Sequence, residues 1–212
     1  MAKVKICGNT NVADAQLAVE LGADYLGFIF AESKRRVDIA TVREIMQSLP
    51  KFKNFVGVFF NQPKKKVEAI AGELGLKILQ FHGDETALYC ESFMNKGYDV
   101  IKTFRVKDAM SLKRIDEYNV TAFLFDTYSK EEKGGTGIPF DWNLIEGRPY
   151  VQGRLFLAGG LNVNNLEHAI AKLHPYAVDV ASGVESSTGK KDAALLEQFI
   201  RIAKAKSGQH AN

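Results

Sequence analysis

The sequence has little cysteine and no long hydrophobic run, and these two absences exclude several classes of protein. Only two cysteines, Cys7 and Cys90, occur among 212 residues. They lack CxxC spacing and fall in different predicted elements, so neither a disulfide framework nor a zinc site is indicated. No apolar stretch approaches the roughly 20 residues of a membrane-spanning helix, and Met1 leads straight into a strand pattern instead of a signal sequence. We therefore expect no membrane partner and a cytoplasmic location.

An excess of charge of one sign is also lacking. The 28 Lys and Arg residues nearly balance the 25 Asp and Glu residues, which leaves a net charge of +3. The short basic run Lys64-Lys65-Lys66 is typical of a solvated helix start, so we expect no nucleic-acid partner. Hydrophobic residues at 46% and aromatic residues at 10% indicate a soluble globular domain with a substantial core.

The chain alternates short apolar segments with amphipathic segments from one end to the other. Strands are predicted at 3-7, 24-30, 54-60, 77-81, 99-104, 120-126, 154-158 and 177-181. Helices are predicted at 11-21, 38-49, 63-74, 84-96, 108-117, 141-146, 162-172 and 192-206. Eight such units close most simply into an α/β fold with a parallel sheet, a single-domain (β/α)8 TIM barrel over residues 1-206, with a frayed tail at 207-212. A doubly wound open sheet is the alternative.

Two ionisable side chains follow predicted strands, where such barrels carry their chemistry. Cys7 comes at the end of the first strand and Asp126 at the end of the sixth. Proton transfer needs groups of this kind, and an unpaired carboxylate on an apolar strand is costly, so both are expected to be catalytic at the barrel mouth. The alternatives are a buried core thiol for Cys7 and a capping carboxylate for Asp126. Cys90, inside a helical pattern, is expected to be structural.

Glycine-rich turns follow the seventh and eighth strands, which is the usual position of a phosphate site in a barrel. Glycine lets backbone N–H groups approach an anion closely. We therefore expect Gly159, Gly160, Ser182 and Gly183 to bind a phosphate, although either turn alone could be a tight connection without a ligand. No GxGxxG opens the first unit and no GxxxxGK[ST] occurs, which argues against a Rossmann or P-loop nucleotide site.

Further polar side chains follow the second, fourth and sixth strands. Arg35 and Arg36 follow the second strand, and at least one is expected to bind a carboxylate through its guanidinium fork, with a solvated surface pair as the alternative. His82 follows the fourth strand, where a hydrogen bond to the barrel interior and a catalytic role are both open. The long glycine-rich stretch 127-139 suits a mobile lid, and Asp141 is expected to cap the next helix.

Several segments together match the pattern of one family. They are Lys5-Ile6-Cys7-Gly8-Asn9-Thr10, Ser33-Lys34-Arg35, Gln80-Phe81-His82-Gly83, Gly134-Gly135-Thr136-Gly137 with Phe140-Asp141-Trp142, Leu157-Ala158-Gly159-Gly160-Leu161, and Val178-Asp179-Val180-Ala181-Ser182-Gly183-Val184-Glu185. With these segments the sequence resembles phosphoribosylanthranilate isomerase of tryptophan biosynthesis. The resemblance covers nearly the whole chain, and its first and fourth motifs are specific to that family.

The resemblance implies an Amadori rearrangement of N-(5-phosphoribosyl)anthranilate by general acid–base catalysis, with no metal and no organic cofactor. It implies that Cys7 is the base and Asp126 the acid. It also implies that Arg35, identified by the Ser-x-Arg spacing, binds the anthranilate carboxylate. Asp179 matches a family aspartate that contacts substrate hydroxyls or supports the site, and His82 is expected to bind substrate.

Departures from the family pattern are small, and two rival functions stand beside the isomerase. Phe81 replaces the usual leucine before the histidine and Thr188 replaces the usual proline before Gly189, changes expected to affect core packing and the last phosphate loop. Indole-glycerol-phosphate synthase, a related lyase, is understood to use lysine and glutamate at strand ends, which the first and sixth strand exits here lack. A non-catalytic phosphosugar-binding barrel is the other alternative. The chain is expected to be a monomer or a homodimer.

Overall fold

The computed structural model describes residues 1–128, 140–147 and 155–205. Eight parallel strands form a closed barrel in chain order. The strands are β1 (Lys3–Ile6), β2 (Tyr25–Ile29), β3 (Phe55–Phe59), β4 (Ile78–Phe81), β5 (Asp99–Val106), β6 (Ala122–Thr127), β7 (Leu155–Leu157) and β8 (Ala177–Val180). Because β1 pairs with both β2 and β8, the sheet has no open edge. The predicted (β/α)8 barrel is confirmed and the open-sheet alternative is wrong.

Helices connect most of the strands on the outside of the barrel. They are α1 (Val12–Glu20), α2 (Ile39–Ser48), α3 (Lys64–Leu74), α4 (Ala87–Met94), α5 (Leu166–Leu173) and α6 (Ala193–Lys204). Asn11, Asp38, Thr86 and Asp192 each begin a helix by accepting a hydrogen bond from a backbone N–H of its first turn, as good N-cap residues do. A short antiparallel hairpin, β9 (Glu185–Ser187) and β10 (Lys190–Lys191), lies between β8 and α6.

Two of the predicted helices are wrong in extent. The segment 108-117 forms two short 3-10 helices, Ala109–Leu112 and Ile115–Glu117, and the segment 141-146 forms one, Trp142–Leu144. Asp141 caps the third of these, as predicted, and Asp108 caps the first. Both segments also contain Ser, Asp or Asn, whose side chains compete with the helical backbone for hydrogen bonds and favour short turns.

Side chains on the barrel strands alternate between two hydrophobic layers, because successive residues of a strand point to opposite faces. The inner layer fills the barrel and contains Cys7, Tyr25, Val56, Val58, Ile78, Ile101, Ala122, Leu124, Phe156, Ala158 and Ala177. The outer layer packs the strands against the helices and includes Val4, Ile6, Leu26 and Phe28. The inner face therefore carries any side chain that reaches the barrel mouth.

Parts of three sequence predictions lie outside the described residues. These are most of the 127-139 stretch predicted as a lid, the predicted start of strand seven at residue 154, and the tail at 207-212 with the domain boundary at 206. No helix in the described ranges is long and apolar enough to cross a membrane.

Candidate active site at the barrel mouth

A cleft of about 750 Å³ opens at the C-terminal ends of the strands. The residues predicted from the sequence as site residues all line it: Cys7, Arg35, His82, Asp126, Gly159, Gly160, Asp179, Ser182 and Gly183. They follow or end strands on all sides of the barrel, and a closed barrel brings such positions around one opening. Within the described ranges, no three His, Cys, Asp or Glu side chains are grouped so that they could hold a metal ion.

Cys7 lies directly after β1, and its backbone N–H donates to the carbonyl oxygen of Val180 at 2.8 Å. The residue is only 7% exposed although it lines the cleft. Burial raises the pKa of the Cys7 thiol, and the neighbouring ammonium group of Lys5 works against this increase. Lys5 is itself held by Asp179, with Nζ donating to Oδ1 at 2.8 Å. The thiol therefore faces a buried ion pair.

Asp126 is fixed through both of its carboxylate oxygens. Oδ1 accepts a hydrogen bond from the backbone N–H of Thr127 at 2.8 Å, and Oδ2 lies 3.1 Å from Nε2 of His82. Among the described residues Nε2 of His82 has no hydrogen-bond partner, so this second contact is a close approach and not a hydrogen bond. His82 Nδ1 lies 3.1 Å from the amide nitrogen of Gln80. Nε2 is thus the ring nitrogen that faces Asp126, and Nδ1 is the one that faces Gln80.

Arg35 lines the cleft while its guanidinium fork binds Glu185. Nε of Arg35 donates to Oε1 at 2.8 Å and Nη2 donates to Oε2 at 2.6 Å. Gly8, with φ of 70°, makes room for this arrangement, because a Cβ there would lie 2.7 Å from Cδ of Arg35. Arg36, the other candidate, lines a separate cavity of about 240 Å³. The geometry favours Arg35 for a ligand in the main cleft.

Glu185 and Lys191 connect this arginine to the strand that carries Cys7. Nζ of Lys191 is buried and donates to the Cys7 carbonyl oxygen at 2.7 Å and to Glu185 Oε1 at 3.1 Å. Burial of Glu185 works to raise the pKa of its carboxyl group, but Arg35 and Lys191 outweigh that effect and lower the pKa. The hairpin β9–β10 thus holds the segments that follow the neighbouring strands β1 and β2.

The two glycine turns approach neighbouring backbone too closely for a side chain. Gly159 and Gly160 have φ values of 82° and 72°, which glycine adopts without steric cost. A Cβ at Gly159 would lie 2.4 Å from the backbone nitrogen of Thr127, and a Cβ at Gly183 would lie 2.0 Å from the carbonyl oxygen of Leu161. The turns after β7 and β8 are therefore closely packed against each other and against β6.

Three charged residues of the site were not assigned a role from the sequence: Lys5, Glu185 and Lys191. Their side chains are at most 4% exposed. The alternation of a strand offered one available signal, since Lys5 lies two residues before Cys7 and so shares its inward face. The contacts of Glu185 and Lys191 depend on how the hairpin folds back over β1, which no local pattern specifies.

Comparison with known proteins gives the family. A family model described as N-(5'phosphoribosyl)anthranilate (PRA) isomerase matches residues 4–202. A Pelobacter propionicus protein named N-(5'-phosphoribosyl)anthranilate isomerase is 46% identical, over 96% of each chain. Two similar solved structures each align over 96% of this chain and 99% of their own. One, monomers of a dimeric phosphoribosylanthranilate isomerase from Thermotoga maritima, has a TM-score of 0.84 and 39% identity. The other, a phosphoribosyl anthranilate isomerase in complex with reduced 1-(o-carboxyphenylamino)-1-deoxyribulose 5-phosphate, has a TM-score of 0.82 and 38% identity. This chain belongs to the N-(5'-phosphoribosyl)anthranilate isomerase family, as its sequence motifs predict.

Proposed function

We propose that the chain converts N-(5-phosphoribosyl)anthranilate to 1-(2-carboxyphenylamino)-1-deoxyribulose 5-phosphate, with Cys7 as the base and Asp126 as the acid. Family membership makes it an isomerase of tryptophan biosynthesis. The observation that carries the assignment of roles is that Cys7 and Asp126 line one cleft from strands β1 and β6, which β7 and β8 separate. A ligand that lies across the cleft from Cys7 to Asp126 meets a different proton-transfer group at each end.

The reaction needs these two groups at successive steps. Asp126 protonates the ribose ring oxygen, the bond from that oxygen to C1 breaks, and the nitrogen lone pair forms a Schiff base. The Cys7 thiolate then removes the proton from C2, and the resulting enolamine tautomerises to the ketone. Groups that act as general acid and base must lie within hydrogen-bond reach of the atoms they serve. Asp126 must carry this proton when the substrate binds, and its contacts with Thr127 and His82 support the role by keeping its carboxyl group in the cleft.

Arg35 is the proposed partner of the anthranilate carboxylate. Its guanidinium lies in the cleft and is oriented by the two-point contact with Glu185. Because Glu185 takes the Nε and Nη2 side of the guanidinium, a second carboxylate would be met by others of its five N–H donors. His82 and Asp179 are proposed to contact the substrate from β4 and β8. Asp179 also supports the site through Lys5.

The terminal phosphate is proposed to bind at the two glycine turns, to Gly159, Gly160, Ser182 and Gly183. Within the described part of the chain, no backbone carbonyl accepts a hydrogen bond from the N–H of Gly159 or Gly160. Backbone N–H groups without a side chain beside them are good ligands for a phosphate. The carbonyl of Gly160 is meanwhile held by Asn165, with Nδ2 at 2.9 Å, which fixes the orientation of that turn.

The test is turnover of phosphoribosylanthranilate, followed as the loss of its fluorescence, with the Cys7→Ser and Asp126→Asn variants. Each change keeps the shape of the side chain and weakens its proton transfer, so kcat is expected to fall about 10²- to 10⁴-fold. Binding of the reduced product analogue should stay near the parent value in both variants. If Cys7→Ser keeps near-parent turnover, Cys7 is not the base. If Asp126→Asn shows only a loss of affinity, Asp126 binds the substrate and is not the acid.

Matched controls come from the same chain. Cys90→Ser changes the other cysteine, which is buried in α4 away from the cleft, and Asp141→Asn changes a helix cap. Both should keep parent turnover. A parent protein that binds the product analogue but shows no turnover would support the non-catalytic phosphosugar-binding alternative. The cytoplasmic location and the choice between monomer and homodimer stay predictions.

A further inference from the structure

Lys5 is a lysine enclosed inside the barrel, where such a residue is rare. Its side chain has no exposed surface, and lysine is almost never fully buried unless it is paired. The pairing partner is Asp179, which stands opposite Lys5 in the register of β1 and β8 and accepts a hydrogen bond from Nζ at 2.8 Å. Both charges belong to the inner face of the barrel, directly below the mouth.

Lys5 and Cys7 face each other across the space that a side chain at Gly27 would fill. A Cβ at Gly27 would lie 2.8 Å from Cys7 Sγ and 3.0 Å from Lys5 Nζ. The ammonium group and the sulfur therefore lie close enough for an electrostatic interaction. Glycine on β2 permits this approach, which any other residue would obstruct.

The two positive charges near the thiol oppose the increase in its pKa that burial causes. Burial raises the pKa of Cys7 and Asp179 adds to this, whereas Lys5 and Lys191 oppose the increase. Burial also disfavours the ammonium form of Lys5, but Asp179 and Cys7 outweigh it and raise the pKa of Lys5. Lys191 is directed to the Cys7 carbonyl oxygen and to Glu185. Lys5 is thus the cation with the larger effect on the thiol.

We propose that Lys5 is a positioning residue for the base, stabilising the thiolate form of Cys7 through the charge of its nearby ammonium group, and that Asp179 keeps Lys5 charged and in place. In the reaction the thiolate accepts the C2 proton and becomes a thiol, while Lys5 stays an ammonium ion and transfers nothing. This inference rests on the proposed function only for the use of the thiolate. The thiolate itself can be measured without turnover.

The experiment measures the rate of alkylation of Cys7 by iodoacetamide against pH, with the modified peptide quantified by mass spectrometry so that Cys90 does not contribute. Only the thiolate reacts, so the midpoint of the profile reports the pKa of Cys7. An opposite charge this close shifts a pKa by about one to three units. Lys5→Met is therefore expected to raise the midpoint by that amount, and to slow alkylation about 10- to 10³-fold at a pH below both midpoints.

Lys5→Met leaves the Asp179 carboxylate without its partner, and this negative charge raises the pKa of Cys7 by itself. A second variant separates this effect from the loss of the lysine. The double variant Lys5→Met with Asp179→Asn removes both charges, and its midpoint is expected above that of the parent but below that of Lys5→Met. Val56→Ala is the packing control, because Val56 is uncharged and buried in the same inner layer as Cys7. It should reduce stability and leave the midpoint unchanged.

An unchanged midpoint in either lysine variant that folds would overturn the proposal. An equal shift in Val56→Ala would also overturn it, because packing rather than charge would then control the thiol. The failure of the proposed function looks different: Cys7→Ser would keep turnover, whereas the alkylation profiles would still report the effect of Lys5 on the sulfur.

Discussion

Gly159 and Gly97 form a matched pair that tests whether the turn after β7 controls the acid. Both have φ of 82°. Gly97 lies in the turn between α4 and β5, and a Cβ there would meet nothing within 4 Å. A Cβ at Gly159 would lie 2.4 Å from the nitrogen of Thr127 and 3.1 Å from Oδ1 of Asp126. Alanine therefore brings the same backbone strain at both positions and a collision at only one.

The expected losses follow from these distances. Left-handed backbone costs an L-residue about 1–2 kcal/mol, so Gly97→Ala should lower the free energy of unfolding by that amount. Gly159→Ala should lose a further 1–3 kcal/mol or so, because the colliding atom is backbone and overpacking costs about that much. The collision also moves the Thr127 N–H that holds Asp126. A displacement of about 1 Å in a reacting group can lower turnover about 100-fold, so Gly159→Ala should lose kcat on that scale.

Urea unfolding and initial rates of fluorescence loss measure the two effects separately. Gly97→Ala should unfold more easily and keep the parent kcat, whereas Gly159→Ala should show the larger loss of stability and a much lower kcat. If both variants lose the same stability and Gly159→Ala turns over at the parent rate, the turn does not position Asp126.

Two further predictions concern the carboxylate-binding side of the cleft. Arg35→Ala should weaken binding of the product analogue by about 2–5 kcal/mol if the pair is desolvated, and Arg36→Ala should have little effect; titration calorimetry that shows the reverse order would move the role to Arg36. Glu185→Gln removes the charge that orients Arg35 and should raise KM more than it lowers kcat. The pKa of Glu185 is lowered in the folded chain, so its ionised form stabilises the fold above the ordinary glutamate pKa of about 4.3. The stability difference between parent and Glu185→Gln should therefore shrink as the pH falls through the lowered pKa, and a difference constant with pH would refute this assignment.

The barrel and its family were predictable because their signals are local. Most strands are short apolar runs, four of the helices begin at a capping side chain, and the motif around Cys7 is specific. The isomerase function predicted from these motifs is confirmed by the family. The site residues predicted at strand ends all reach one cleft, because a closed barrel maps the ends of its strands to one opening.

Contacts between distant parts of the chain could not be predicted. The fork of Arg35 on Glu185 and the bond from Lys191 to the Cys7 carbonyl connect residues 150 and 184 positions apart. The two short 3-10 helices at 109–117 were missed for a different reason, since the balance between a full helix and isolated turns depends on side chains that compete for backbone hydrogen bonds.

The closure of the barrel between β1 and β8 determines when the base can be completed during synthesis. Lys5 is made 174 residues before Asp179, and Cys7 is made 184 residues before Lys191. Until β8 leaves the ribosome, β1 is an edge strand with one neighbour, and its lysine has no counter-ion from β8. Pairing over such separations is slow compared with local folding. The first strand to be made therefore carries a part of the site that is completed only after β8 and Lys191 have been made.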